Sequence, residues 1–420
     1  MKFLYNVTVR AYRAAISVAA IAGKEKAQQW LAGRENWREK LKADVDELDL
    51  TDKKTIWFHC ASLGEFEQGR PLIERVREES PNTNIVLTFF SPSGYENKKN
   101  YPHADLILYL PLDTPKNARD FLDLVKPKVA VFVKYEFWYH FMKALNDKNI
   151  PLILASAIFR DEQLFFKNYG KWYLKSLQLV DHFYVQSEKS KDLLTSHGVE
   201  NVEVSGDTRF DRVWQLSQKV KSFNELNPFF EDQKVFIAGS SWEKEDEFTE
   251  KLIDDGLLND FKIVIAPHEI TESKLKGYEK KWPGQTFRFT DRETVKDLKD
   301  KKIMIVDTIG HLSSLYQYAT IALIGGGFTS GIHNILEAAT YGVPTIFGPN
   351  NERFQEAQDL MMQEAAFEVK VYSDLTKVFN ILSDESKLQK ASLKSKNYVS
   401  ENTGAVDIIY AGIKKRLLAE

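Results

Sequence analysis

From residue 55 onward the chain alternates two patterns. Short runs of apolar and β-branched residues, TIWFHCAS (55–62), NIVLTFF (84–90), DLILYL (105–110), KVAVFV (128–133), PLILA (151–155) and HFYV (182–185), read as strands. Between them, 66–79, 115–125 and 137–146 place apolar residues at helical spacing. Nearly continuous apolar strands separated by amphipathic helices predict a parallel sheet covered on both faces. The alternation breaks over 206–233, a polar stretch that reads as a helix and connector. It resumes with KVFIAG (234–239), FKIVIA (261–266), IMIV (303–306), TIALI (320–324) and PTIF (344–347), and the tail 386–420 is helical in composition. The pattern predicts an α/β protein of two Rossmann-like domains facing each other across a cleft, with ligands at the carboxyl ends of the strands. The expected division is an amphipathic helical segment at 1–35, a first domain at 36–212, a connector at 213–233, a second domain at 234–400 and a terminal helix at 401–420.

Within the second domain, 321–349 (IALIGGGFTSGIHNILEAATYGVPTIFGP) reads as one β-loop-α-β unit. Gly325, Gly326 and Gly327 leave no Cβ where the strand ends, so a ligand can lie against bare backbone. Thr329 and Ser330 are expected to cap the next helix, whose start would offer N–H groups to a phosphate. His333, Asn334 and Glu337 are spaced to share a face of that helix, and a carboxylate there can accept two hydrogen bonds from a ribose diol. The competing reading is a glycine turn that serves packing alone.

Composition narrows the field. A chain of 420 residues is too long for one ordinary core, and its 43% hydrophobic fraction supplies cores of normal size. The formal net charge of -3 argues against a general nucleic-acid binder. A single cysteine, Cys60, excludes an intramolecular disulfide and fits a reducing compartment. The first thirty residues are mildly apolar, but Arg10 and Arg13 interrupt them and the uncharged run 14–23 is too short to span a bilayer. As a helix this segment would carry an apolar face (Phe3, Leu4, Val7, Tyr12, Ile16, Ala19, Ala20) beside Lys2, Arg10, Arg13 and Lys24. Two readings stand: a helix at an anionic membrane surface, or one packed on the domain.

Candidate chemistry gathers at predicted strand ends. Glu65, in the turn after the first strand, is either a capping charge at a helix start or a general base. His59 and Cys60 are adjacent in a strand and point to opposite faces, which argues against a nucleophile and its base. No His or Cys spacing suggests a metal site. Leaving-group charge would then rest on backbone N–H groups and cationic side chains. Glu136, after the fourth strand, is a second carboxylate for the same cleft or a helix-start charge. Arg209, Arg160 and Lys167 are cations that could meet an acidic substrate. Ser240 and Ser241 end the first strand of the second domain, where a phosphate could approach. Thr308, Ile309 and Gly310 end a later strand, where backbone groups could read a base edge. His268 alone reads as a packed, hydrogen-bonded histidine.

Taken in order, several of these stretches resemble one family, the 3-deoxy-D-manno-octulosonic acid (Kdo) transferases of lipopolysaccharide assembly, inverting glycosyltransferases of the GT-B fold. The resemblance rests on Ala61-Ser62-Leu63-Gly64-Glu65, Tyr135-Glu136-Phe137-Trp138, the segment SGDTRFD (205–211), Ser240-Ser241, the segment DTIGHL (307–312) and the glycine triplet through His333-Asn334-Ile335-Leu336-Glu337-Ala338. It implies a CMP-Kdo donor held by the second domain and a lipid A precursor (lipid IVA) offered to the first, with no cofactor, no metal and no nucleic acid. On this resemblance Glu65 matches the general base that takes the proton of a glucosamine 6-hydroxyl. Glu136 matches a further functional acid, Arg209 a basic position that binds the acceptor or the Kdo carboxylate together with Arg160, and Glu337 the ribose-binding acid. Ser240, Ser241, His268, Thr308, Ile309, Gly310, the three glycines and Asn334 complete the implied donor site. The family works at the cytoplasmic face of the inner membrane of Gram-negative bacteria, which favours the membrane-surface reading of the first helix. The chain departs from the family pattern at Ala266-Pro267-His268 and Ser156-Ala157-Ile158, where arginines are common, and at Lys134, where an acid is common. Two other readings are a UDP-sugar 2-epimerase on the same fold and a non-catalytic, membrane-bound sugar-nucleotide binding protein.

Overall fold

The computed structural model describes residues 1–48 and 53–419, so Glu420, the last residue of the helical tail, lies outside it. The chain forms two compact units, Met1–Arg212 with Thr403–Glu420, and Val213–Asn402. Each is built on a seven-stranded, wholly parallel sheet.

The first sheet comprises β1 (Thr55–Cys60), β2 (Asn84–Phe89), β3 (Leu106–Tyr109), β4 (Val129–Val133), β5 (Leu152–Ala157), β6 (His182–Val185) and β7 (Val202–Val204), in the order β3-β2-β1-β4-β5-β6-β7. All six residues of β1 are buried, as a strand covered on both faces requires. The two-residue period divides them. Trp57 joins Phe121, Phe132 and Phe141 on one face, and Ile56, Phe58 and Cys60 join Phe66 and Val76 on the other. That second face is closed by the last helix of the chain, Ala405–Leu418, through Ile409, Ile413 and Leu417.

The second sheet comprises β8 (Lys234–Ser241), β9 (Phe261–Pro267), β10 (Thr286–Arg288), β11 (Ile303–Ile305), β12 (Ile321–Ile324), β13 (Thr345–Phe347) and β14 (Ala366–Glu368), in the order β10-β11-β9-β8-β12-β13-β14. The three strands absent from the sequence reading, β7, β10 and β14, are three-residue strands at the ends of the sheets, too short to show alternation. In both sheets the strand order reverses at the centre, between β1 and β4 and between β8 and β12. In each sheet taken by itself, the loops leaving these two strands flank a crevice of the kind at which open parallel sheets hold ligands.

The N-terminal helix Lys2–Ile21 buries no residue completely, and no helix among the described residues is long and apolar enough to cross a membrane. It docks by a polar-aromatic edge rather than by the expected apolar stripe. Tyr5 donates its hydroxyl proton to the buried Asp113, and the Asn6 amide oxygen accepts from His140 Nε2 at 2.6 Å. Tyr12 packs against Trp30 and Phe90. Ile16, Ala19 and Ala20 are half-buried, whereas Phe3, Leu4, Val7, Val18 and Ile21 face solvent, Phe3 with 80% and Ile21 with 88% of its surface exposed.

Candidate active site

The first-domain site grows out of the turn after β1. Ser62 caps the helix Leu63–Glu79, its hydroxyl oxygen accepting from the Gly64 N–H at 3.2 Å. Glu65 completes a capping box: its Oε2 accepts the Ser62 N–H at 3.1 Å and the Ser62 hydroxyl proton, while Oε1 has no hydrogen-bond partner among the described residues. The capping geometry is therefore present, and it leaves one carboxylate oxygen uncommitted. The helix can lie this close to the sheet because of Gly69, where a Cβ would stand 2.9 Å from Val133 Cγ2 and 3.0 Å from Cys60 Sγ. Cys60 is buried. Desolvation and the nearby Glu65 and Glu136 carboxylates push its thiol well above its ordinary value, which opposes thiolate chemistry.

Glu136 leaves β4 through Lys134, whose left-handed backbone (φ 71°) turns the chain out of the sheet. Its Oε2 accepts the indole N–H of Trp138 at 2.8 Å. The same N–H lies 3.0 Å from Nε2 of the buried His59, and His59 Nδ1 meets the Thr88 hydroxyl at 2.8 Å. A proton on Nδ1 satisfies the whole chain of contacts, with Nε2 as acceptor. His59 thus orients Trp138, and Trp138 orients Glu136. The sequence pointed to neither of these supports, because His59 and Trp138 lie 79 positions apart.

The cations sit in different surroundings. Arg209 is latched to the buried Asp207 through Nε and Nη2, both at 2.8 Å. Burial alone would raise the Asp207 pKa, but Arg209 and the Gln68 amide hold it below its ordinary value. Arg160 follows β5, its backbone N–H donating to Gln163 Oε1 at 3.1 Å. Lys167 follows a short turn of helix, Leu164–Phe166.

In the second domain the predicted residues line the carboxyl edge of β11, β9, β8 and β12, but several are engaged differently from the sequence reading. The three glycines serve the protein's own backbone. A Cβ on Gly325 would stand 1.9 Å from Ser240 O and one on Gly327 2.4 Å from Gly348 N, while Gly326 adopts φ 89°. Ser241 is fully buried and donates to Asp246 Oδ1 at 2.6 Å, alongside Tyr278 and Lys274, each at 2.8 Å from Oδ2. Ser240, in left-handed backbone (φ 52°), turns outward at the bulge between β8 and β9. The helix expected after the glycines is one turn, Leu336–Ala339, so Thr329 and Ser330 do not cap it and His333 and Asn334 precede it. Thr329 instead donates its hydroxyl to Gly326 O, and the Asn334 side chain bridges the Leu336 N–H (3.2 Å) and Glu337 Oε1 (3.1 Å).

His333 joins a stack that the sequence did not suggest. His268 stacks on both Trp242, 4.4 Å away at 21°, and His333, 4.6 Å away at 26°, and the Trp242 N–H donates to His333 Nε2 at 3.2 Å. Burial, and then His268, lowers the His333 pKa. His268 itself keeps an exposed edge. Beside this stack is a cavity of about 450 Å³ bounded by Trp242, Lys244, Thr271, Lys274, Phe328 and Thr329. Glu337 faces Tyr316 and Tyr341, whose hydroxyl pKa values are raised by burial and by its charge. Ile309 is 91% exposed beside Gly310 (φ 91°), and the Thr308 hydroxyl is shielded from solvent without a partner among the described residues. A larger cavity, about 730 Å³ beside Lys128, Pro151, Asp181 and Arg416, opens at the amino ends of the first sheet, away from the edge where such folds place chemistry. Among the described residues no group of three or more His, Cys, Asp or Glu is placed to hold a metal ion.

Comparison with known proteins gives this geometry a context. Residues 35–212 match the family model described as 3-Deoxy-D-manno-octulosonic-acid transferase (kdotransferase). A bifunctional glycosyltransferase/methyltransferase of Fusobacterium nucleatum is 29% identical over 83% of this chain, which spans 56% of that protein. A 3-deoxy-D-manno-octulosonic acid transferase of Aquifex aeolicus is 28% identical, over 80% of this chain and 88% of its own. Among solved structures, UDP-GlcNAc 2-epimerase from Neisseria meningitidis bound to UDP-GlcNAc superposes with a TM-score of 0.61 at 16% identity, covering 86% of this chain and all of that one, a likeness of fold alone.

Proposed function

We propose that the chain is a Kdo transferase, a glycosyltransferase of GT-B fold, and that it transfers Kdo from CMP-Kdo to a lipid A precursor with inversion at the anomeric carbon; the family model matched over 35–212 and the similar Aquifex aeolicus transferase support the reading. The observation that carries the reading is the pair of carboxylates leaving the two strands that flank the switch point of the first sheet. Glu65 has one oxygen held by Ser62 and the other uncommitted, as a base positioned against an acceptor hydroxyl needs. It takes the proton of a glucosamine 6-hydroxyl as that oxygen bonds to the anomeric carbon. The bond from that carbon to the CMP phosphate breaks, and CMP leaves with the electron pair. Glu136, fixed by Trp138, positions the acceptor. Arg209 and Arg160 are the cations assigned to the acceptor or the Kdo carboxylate.

The second domain carries the donor in this reading. Ser240, His268 and the residues about the glycine loop hold the phosphate, Glu337 with Asn334 binds the ribose, and Ile309 with the Thr308–Gly310 backbone meets the base. Its three-glycine backbone is close-packed, so phosphate contact falls to Ser240 and the neighbouring cavity with Lys244 and Lys274. CMP-Kdo is a substrate, and no cofactor is required. The outward face of the N-terminal helix, with Phe3, Val7 and Arg10 and with Lys2 and Arg13 on its flank, suits a bilayer of anionic lipid at the cytoplasmic side of the inner membrane of a Gram-negative bacterium.

Glu65→Gln is the direct test, because glutamine preserves the capping box and removes only the base. Incubation with CMP-Kdo and lipid A precursor, followed by mass spectrometry, should show a rate lower by about 10²–10⁴-fold with an unchanged melting curve. Transfer near the wild-type rate would remove Glu65 from the mechanism. Turnover of UDP-GlcNAc without any acceptor would replace the transferase by an epimerase.

A further inference from the structure

We propose that the cavity between the N-terminal helix and the Glu136 loop is a subsite for one acyl chain of the lipid acceptor, so that the helix forms a wall of the acceptor site as well as facing the membrane. The cavity measures about 450 Å³, within the range of small-ligand sites. Tyr5, Thr8, Val9 and Tyr12 supply the helix wall, and Phe90, Leu112, Phe137 and Trp138 face them. Two of its polar side chains turn their polar atoms into the protein: Tyr5 donates to Asp113, and the Trp138 indole N–H is held between Glu136 and His59. Most of the lining is ring faces and aliphatic carbon, which solvates an alkyl chain, and Tyr12, Tyr135 and the Glu136 carboxylate supply its polar part.

Two features identify the occupant as an anionic amphiphile's tail. Glu136 is the one carboxylate in the wall, so a chain lying in the cavity brings its polar end to the residue that positions the acceptor. The helix also carries Lys2, Arg10 and Arg13, which have no ion-pair partner among the described residues and complement a phosphorylated head. The subsite rests on the acceptor reading of Glu136 given above, and it makes acylation of the acceptor part of recognition.

The test uses the full chain and two variants that fill the cavity from opposite walls, Thr8→Phe and Leu112→Trp. Cis-parinaric acid serves as a fluorescent acyl probe, and transfer is followed with acylated and fully deacylated glucosamine disaccharide acceptors. The proposal expects the probe to bind wild type and to be displaced by the acylated acceptor. Each variant should weaken probe binding, and lower the ratio of kcat/KM for acylated over deacylated acceptor, by about tenfold, the effect of a methylene or two denied burial. An unchanged ratio and unchanged probe affinity in both variants would overturn it. Equal displacement of the probe by phosphatidylglycerol would overturn the assignment to the acceptor and give the cavity to bulk membrane lipid. Probe binding that both variants abolish, with neither acceptor converted by wild type, would leave the acyl site standing and remove the transfer reading.

Discussion

Asp113 and His140 meet where the N-terminal helix is anchored, and their protons work against each other. Asp113 is buried with no cation beside it, and desolvation pushes its pKa up to about 6 despite hydrogen bonds from Tyr5 and the His140 and Phe141 N–H groups. A raised pKa contributes stability that is fully present below the ordinary value of 3.8 and is lost as pH rises through about 6. His140 is displaced the other way, to about 4, by burial and then by Lys2, so its contribution is present above 6.5 and lost as pH falls through about 4. Between those limits the two slopes oppose. In His140→Gln, stability relative to wild type should rise as pH falls from 6.5 to 4. The deficit of Asp113→Asn should instead grow over the same range, by about 3 kcal/mol, because each tenfold gain in proton affinity is worth about 1.4 kcal/mol. Urea unfolding of the first domain at a series of pH values measures both, and curves parallel to wild type would refute the linkage.

The helices and strands show where a sequence speaks and where it falls silent. The central strands were legible because burial on both faces forces long apolar runs, and 115–125 emerged at its observed bounds because Thr114 caps it and Pro115 starts it. The helix after β12 was overextended. Spacing alone placed His333, Asn334 and Glu337 on one face, but Gly331 at φ 137° keeps the chain irregular up to Leu336. The N-terminal helix is the instructive case, since its apolar residues were legible and their partners were not. A helix anchored by Tyr5 and Asn6 leaves Phe3 and Val7 on the outer face. Phe3→Glu with Val7→Glu should therefore abolish binding to anionic vesicles, through lost apolar contact and added repulsion, while the melting temperature stays at the wild-type value. Full retention on vesicles in a sedimentation assay would assign the membrane contact to another surface, and a large drop in melting temperature would mean that these residues pack on the domain.

Across the whole molecule, the alternation of strand and helix disclosed two parallel sheets; Glu65, Glu136, Ser240 and the glycine triplet then fell at strand ends beside a switch point, whereas Arg160, Arg209, His268 and Thr308–Gly310 follow strands farther out. Strand order itself depends on pairings between distant segments, which periodicity does not encode. The same holds for the support of the site: the His59–Trp138 contact, the Ser241–Asp246 latch and the Gly327–Gly348 approach join residues whose relation appears only after folding. The longest such relation belongs to the last helix, which the sequence marked as helical without a destination. Ile409, Ile413 and Leu417 pack on the face of the first sheet that carries Cys60 and Phe66, the start of the Glu65 helix, although the chain has first built the entire second domain. The first domain is therefore incomplete until the last residues are synthesised, while Val213–Asn402 is not. Ile413→Ala should lower first-domain stability by about 2–5 kcal/mol, the range for a buried large-to-small substitution. In calorimetry its effect should fall on the transition that Val131→Ala also lowers and spare the one lowered by Leu323→Ala, two fully buried strand positions in the separate sheets. A shift of the Leu323 transition instead would show that the last helix stabilises the second domain and that the first closes its sheet without it.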